Sequence, residues 1–206
     1  MYVIGLTGGI GTGKTAVSEM LRGLGAEVVD ADKVGHEAYL PGAEAWQAVV
    51  DAFGKGILTE GDQIDRKKLG AIVFGDPAEL ARLNSIMHPR MYGMMEERLD
   101  GLRSEGCRAA VIEAALLIEA DWQPLTDEVW VVTAPEEEAV SRTAARSGLS
   151  EDAVRARIGS QMAQSERVKH ADVVIENDGT LEDLRRQVTE SWNRRVLARE
   201  ELSRLG

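Results

Sequence analysis

The chain is short of several things, and each shortage narrows what it does. Cys107 is the only cysteine among 206 residues, so no intramolecular disulfide forms and no zinc cluster can be built on thiolates. That usage is expected of a reducing, cytoplasmic compartment. Basic residues are outnumbered, 24 Lys and Arg against 35 Asp and Glu, for a formal charge of -11. An excess of that sign disfavours nucleic acid and anionic membranes as partners, and requires any anionic ligand to meet positive charge gathered locally. Only 6 of the basic residues are lysines, which makes the arginines worth locating. Aromatics make up 4% of the chain. Tyr2, Trp46, Trp122, Trp130 and Trp192 read as packing residues, because no basic side chains interleave them for stacking on bases. The opening apolar run has no basic flank and reaches Gly5 too soon for a signal peptide or a membrane span.

What is present is an alternation of short apolar runs and helical stretches. Tyr2 to Thr7, Ala26 to Val29, Ala109 to Ile112, Val129 to Thr133 and Val173 to Ile175 are rich in β-branched residues and lack clean polar alternation. Strands covered by helices on both faces look like this, which predicts an α/β fold with about five parallel strands. Val17, Met20, Leu21 and Leu24 recur at helical spacing after the first strand. The last helix is expected from Leu181 to about Leu202, with Leu181, Leu184, Val188 and Trp192 on one face.

Roughly 75 residues separate the second and third strands, where a crossover needs only a dozen or more. Within them Glu44 to Phe53, Arg66 to Phe74 and Pro77 to Leu102 read as helices, the last interrupted at His88-Pro89. A second insertion, Ala134 to Ala171, holds two helical stretches joined at Ser147-Gly148-Leu149-Ser150, with Ser150 as cap and Ala153 at N3. The expected organisation is a single domain over 1–206. Its core is 1–31, 107–134 and 172–206, with a helical acceptor-binding subdomain over 32–106 and a lid over 135–171.

Gly8-Gly9-Ile10-Gly11-Thr12-Gly13-Lys14-Thr15 satisfies G-x-x-x-x-G-K-[ST] between a buried strand and an amphipathic helix, which is the context a phosphate loop needs. Its glycines let successive N–H groups turn inward and the helix N-terminus adds a positive dipole end. Gly9, Gly11, Thr12, Gly13, Lys14, Thr15 and Ala16 are therefore the expected ATP contacts, and the Thr15 hydroxyl the expected ligand of Mg2+.

Asp30 and Asp32 close the second strand, at the edge where open α/β sheets bind ligands. Asp32 is taken as the base that accepts the acceptor's hydroxyl proton and Asp30 as a helix cap, the competing assignment being Asp32 itself as the cap. Glu113, ending the third strand, is the second candidate for the metal. Arg66 opens a helix, and Arg142, Arg146, Arg155 and Arg157 crowd the lid, either against phosphate or against Glu136 to Glu138, Glu151 and Asp152 on a solvated face. His88 is a pocket candidate. Asp32-Lys33-Val34-Gly35 also reads D-x-x-G, as in a GTP-dependent switch, but no Asn-Lys-x-Asp segment for guanine follows.

Several segments together resemble the bacterial dephospho-CoA kinases: Gly5 to Thr15 with Val29-Asp30-Ala31-Asp32, Asp65-Arg66-Lys67-Lys68-Leu69 with Val73-Phe74, and Ile86-Met87-His88-Pro89. Leu116-Leu117-Ile118-Glu119, Arg142, Arg146 to Ser150, Arg157-Ile158, Gln161-Met162, Ala171-Asp172 and Asn177-Asp178-Gly179 extend the likeness from about residue 2 to 190. The resemblance implies a P-loop NTPase fold of the nucleoside-monophosphate-kinase kind. It also implies transfer from ATP, with Mg2+, to the ribose 3'-hydroxyl of dephospho-CoA, the last step of coenzyme A synthesis. Asp32, Lys14 and Arg142 would then be catalytic, Arg146 would help hold the nucleotide, and Asp32, Arg66, His88, Glu113 and Leu117 would meet the acceptor. Two positions depart from the family pattern: Glu113 stands where aspartate is usual, and Ala115 replaces a proline.

If the loop binds phosphate, Lys14→Ala lowers turnover by on the order of a hundredfold or more, measured as ADP release at saturating substrates.

Overall fold

The computed structural model describes residues 1–199. Five strands, β1 (Tyr2–Gly8), β2 (Glu27–Asp30), β3 (Ala109–Glu113), β4 (Glu128–Thr133) and β5 (Val173–Glu176), form one sheet in the order β2-β3-β1-β4-β5. β1 pairs in parallel with β3 and with β4, and β4 with β5. All five expected strands are present: four are longer by one residue, and β2 is shifted by one, beginning at Glu27 rather than Ala26.

β1 is central, and every one of its residues is buried. Tyr2, Ile4 and Leu6 face a core completed by Val17 and Leu21 of α1 (Lys14–Gly23) and by Leu184, Val188 and Trp192 of α9 (Leu181–Trp192). On the opposite face Gly5 is pressed against Leu117 and Thr126, where a Cβ would stand 2.7 Å from Leu117 Cδ2. Side chains alternate across a strand, so a strand covered on both faces needs apolar or small residues throughout. That is why β1 carries no polar alternation. The face expected on α9 is corrected at its first position: Leu181 is 60% exposed, while Leu184, Val188 and Trp192 are buried. α9 runs on through a wider turn at Asn193–Leu197; residues 200–202 of the expected helix lie outside the described residues.

Internal contacts divide the chain into two compact units, one of Met1–Val29 with the chain from Asp100 onward, the other Asp30–Leu99. In the first unit, the segment between β4 and β5 forms three helices rather than two: α6 (Glu136–Ser147), α7 (Glu151–Gly159) and the short α8 (Gln164–Val168). Ser150 accepts from the Ala153 N–H at the start of α7, as its spacing predicts. α8 has a single turn's worth of residues, too few for a periodic signal.

The second unit is helical, with α2 (Ala31–Ala38), α3 (Glu44–Phe53), α4 (Arg66–Val73) and most of α5 (Pro77–Ser104). Ala38, Val49, Ile57, Leu69, Val73 and Met87 are among its own core residues. α5 runs unbroken through Pro89, contrary to the interruption expected there. Proline removes one N–H from the helical ladder, the one that would meet the Ser85 carbonyl; one position on, the Arg90 guanidinium donates to the Ile86 carbonyl at 2.9 Å.

α2 and α4 start alike. Asp30 accepts from the N–H groups of Asp32 and Lys33, and Asp65 from those of Lys67 and Lys68. Asp30 is thus the cap of α2, and the Asp32 carboxylate, one turn position further on, is not used in capping. Asp30→Ala is expected to cost about 1 kcal/mol of stability. Asp32→Asn is expected to stay within about 0.5 kcal/mol, both read from urea denaturation midpoints.

Candidate active site

The loop after β1 delivers its chemistry through backbone. α1 has Gly13 as its N-cap, with φ of 100°, no capping side chain and no acidic residue in the first turn. Most helices close this end with Ser, Thr, Asp or Asn. Left open, it offers N–H groups and the positive end of the helix dipole to an anion. Gly11, at φ of 76°, is required twice over: its conformation is left-handed, and a Cβ there would run into the Ala139 carbonyl and Thr143 of α6. Thr12 is buried and donates to the Gly9 carbonyl at 3.0 Å. Ala16, half-buried, packs against the apolar core between α1 and α9.

Lys14, Thr15 and Glu113 come together at the carboxyl ends of β1 and β3. Lys14 Nζ donates to the Gly8 carbonyl at 2.8 Å and to that of Gly9 at 3.0 Å. Thr15 Oγ1 donates to Glu113 Oε1 at 3.0 Å, and Ser18 Oγ to Glu113 Oε2 at 2.6 Å. The longer side chain of Glu113 therefore still reaches the hydroxyl that the motif reserves for a metal. One hydroxyl and one carboxylate suit Mg2+, which keeps most of its waters and takes remaining ligands from phosphate. Among the described residues no cluster of three His, Cys, Asp or Glu forms a cage of its own. Ser18 was not singled out in the sequence; its helical spacing from Thr15 is the signal that marks it.

The arginines divide. Arg142 on α6 donates to the Asn177 carbonyl at 3.3 Å and to Glu138 at 2.5 Å. Both members of that ion pair are about 40% exposed, so the pair is weak and readily exchanged for a phosphate. Arg146 and Arg157 are exposed and make no ion pair among the described residues. Arg155 instead meets Glu136, Glu137 and Glu151, and its hydrogen bond holds the Glu137 carboxyl below its ordinary range. For Arg155 the solvated-face alternative holds.

Arg167 escaped notice in the sequence and is the most deeply placed charge among the described residues. It is fully buried on α8, paired with Glu119 at 2.8 Å, and donates to the Ala115 carbonyl at 2.9 Å and to Thr7 Oγ1 at 3.2 Å. A buried cation is tolerated only when paired and hydrogen-bonded. Because the Ala115 contribution is its carbonyl, alanine serves there as well as proline. Leu117, expected at the acceptor, is fully buried beneath Gly5 and acts as core.

Within the Asp30–Leu99 unit a cavity of about 420 Å³ is walled by Leu69, Val73 and Leu83 and carries Asp32, His36 and Arg66. Arg66 contacts His36 Nε2 and lies 5.7 Å from the centre of the Tyr39 ring. Burial pushes the Tyr39 phenol above its ordinary range, and Arg66 partly offsets this. Asp32 and Arg66, 34 positions apart in the chain, thus share one cavity. His36 and Tyr39 were not foreseen; both lie one or two turns along α2 from Asp32. His88, half-buried on α5, is not among the cavity's lining residues.

A family model described as dephospho-CoA kinase matches residues 2–183. The dephospho-CoA kinase of Carboxydothermus hydrogenoformans is 48% identical over 186 residues, 90% of this chain and 90% of that protein. That of Geobacter sulfurreducens is 47% identical over 195 residues, covering 95% and 99%. The solved structure of a dephospho-CoA kinase from Campylobacter jejuni superposes with a TM-score of 0.72 at 28% identity, over 96% of this chain and 98% of its own. The likeness takes in the phosphate loop, the Asp30–Leu99 helices and the arginine-bearing segment alike, and the chain belongs to the dephospho-CoA kinase family.

Proposed function

We infer that the protein transfers the γ-phosphoryl group of ATP to the 3'-hydroxyl of the ribose of dephospho-CoA, giving coenzyme A and ADP. Family membership carries the substrate, and the Lys14, Thr15 and Glu113 arrangement at an uncapped helix supports the chemistry.

The N–H groups of the loop and of the first turn of α1 hold the β-phosphate. Lys14 exchanges the Gly8 and Gly9 carbonyls for β- and γ-phosphate oxygens. Thr15 Oγ1 would hold Mg2+ directly, and Glu113, already bonded to Thr15, would meet it through water. When bound there, Mg2+ neutralises charge on the β- and γ-oxygens.

Asp32 accepts the proton of the acceptor hydroxyl as its oxygen bonds to the γ-phosphorus and the bond to the β,γ-bridging oxygen breaks, leaving ADP. Asp32 is suited to the role because Asp30 already caps α2. Arg66, at the mouth of the apolar cavity, holds a phosphate of the acceptor, and Arg142 with Arg146 meets the transferring group. The segment over 135–171 is proposed to close as a lid, and 32–106 to bind the acceptor. No helix of the described residues is long and apolar enough to cross a membrane. The single cysteine supports a cytoplasmic setting.

An ADP-release assay with ATP, Mg2+ and a panel of dephospho-CoA, adenosine, nucleoside monophosphates and sugar acids tests the assignment. Turnover is expected with dephospho-CoA; activity on another acceptor and none on dephospho-CoA would overturn it. Asp32→Asn is expected to lower kcat by about a hundredfold or more while KM for either substrate moves little.

A further inference from the structure

Asn177 stands one residue beyond β5, and its backbone N–H extends the sheet by donating to the Thr133 carbonyl at 2.8 Å. Its side-chain amide donates from Nδ2 to the Thr12 carbonyl at 2.8 Å. It also lies so close to Gly13 that any Cβ there would collide with it. Its own carbonyl accepts from Arg142 at 3.3 Å. One residue on the rigid sheet edge thus touches the phosphate loop and the arginine helix.

The carbonyl it holds belongs to the peptide that joins Thr12 to Gly13. A trans peptide is planar, with its C=O and N–H pointing in opposite directions. Fixing the Thr12 carbonyl toward Asn177 therefore fixes the Gly13 N–H on the other side. Gly13 sits at φ of 100°, in a region glycine shares readily with others, so this peptide has little intrinsic resistance to turning over. A turned peptide would present a carbonyl oxygen where an anion needs a donor.

We propose that Asn177 is a positioning residue for nucleotide phosphate: its amide holds the Thr12–Gly13 peptide in the orientation that aims the Gly13 N–H at the bound phosphates. It acts through the loop and makes no contact with the base. The proposal rests on the reading of residues 8–15 as the ATP phosphate site, and is independent of which acceptor is used.

Calorimetric binding of ATP and of inorganic tripolyphosphate, each with Mg2+, to the wild-type chain, Asn177→Ala and Asn177→Asp tests it without any acceptor. Tripolyphosphate carries no base, so it reads the loop alone. Loss of one hydrogen bond to a charged ligand predicts about tenfold weaker binding of both ligands to Asn177→Ala. Asn177→Asp keeps the shape, loses the donor and sets a carboxylate against the Thr12 carbonyl, and is expected to weaken both further. In turnover, Asn177→Ala raises KM for ATP with kcat changed less than about threefold. ATP binding weakened with tripolyphosphate binding intact would make Asn177 a base contact and overturn the proposal. Unchanged binding of both ligands to either variant would overturn it too. A wild-type chain that binds neither ligand would instead remove the phosphate-site reading, and this proposal with it.

Discussion

The open N-terminus of α1 is the constraint around which the Met1–Val29 and Asp100-onward unit is organised. A helix start without a capping side chain or an acidic first turn leaves several N–H groups and a positive dipole end unmet. Such an end is stable only if the loop before it is held in place from outside. From outside, Gln161 accepts from the Ile10 N–H at 2.9 Å and Asn177 ties the Thr12 carbonyl; within the loop, Thr12 ties the Gly9 carbonyl. The loop is therefore braced at three points by groups that leave its inner face to a ligand.

The charges around that loop follow the same division of labour. Arg167, fully buried, is held through its two terminal nitrogens by Glu119, Thr7 and the Ala115 carbonyl, and joins α8 to the end of β1 and the loop after β3. It holds structure. Arg142 is only lightly held by Glu138 and the Asn177 carbonyl, and Arg146 is exposed. Charges that can leave their protein partners at small cost are the ones suited to meeting phosphate. In an acidic chain, this local separation of committed from available arginines makes an anion site compatible with a net charge of -11.

The two aspartates after β2 show the same economy in the Asp30–Leu99 unit. Asp30 satisfies the first N–H groups of α2, which leaves Asp32 on the cavity wall with His36 and Arg66. A capping aspartate and a chemically available one stand two residues apart, and their roles are separated by which of them the backbone N–H groups engage.

Features encoded by neighbouring residues were legible in the sequence. The phosphate loop, the five strands, the Ser150 cap and the spacing of α1 depend on glycine conformations, hydrophobic period and short-range hydrogen bonds, all of which lie within a few residues. By itself, then, the sequence determined an α/β nucleotide-binding sheet, and through its family likeness the acceptor. Choices that depend on distant residues were not legible. Arg167 meets Thr7 across 160 positions and Asn177 meets Thr12 across 165, and Leu117 is core, packed against Gly5 of β1. Only the tertiary structure decided which arginine is committed and what orients the loop, because those outcomes depend on which burial sites and hydrogen-bond partners folding brings together.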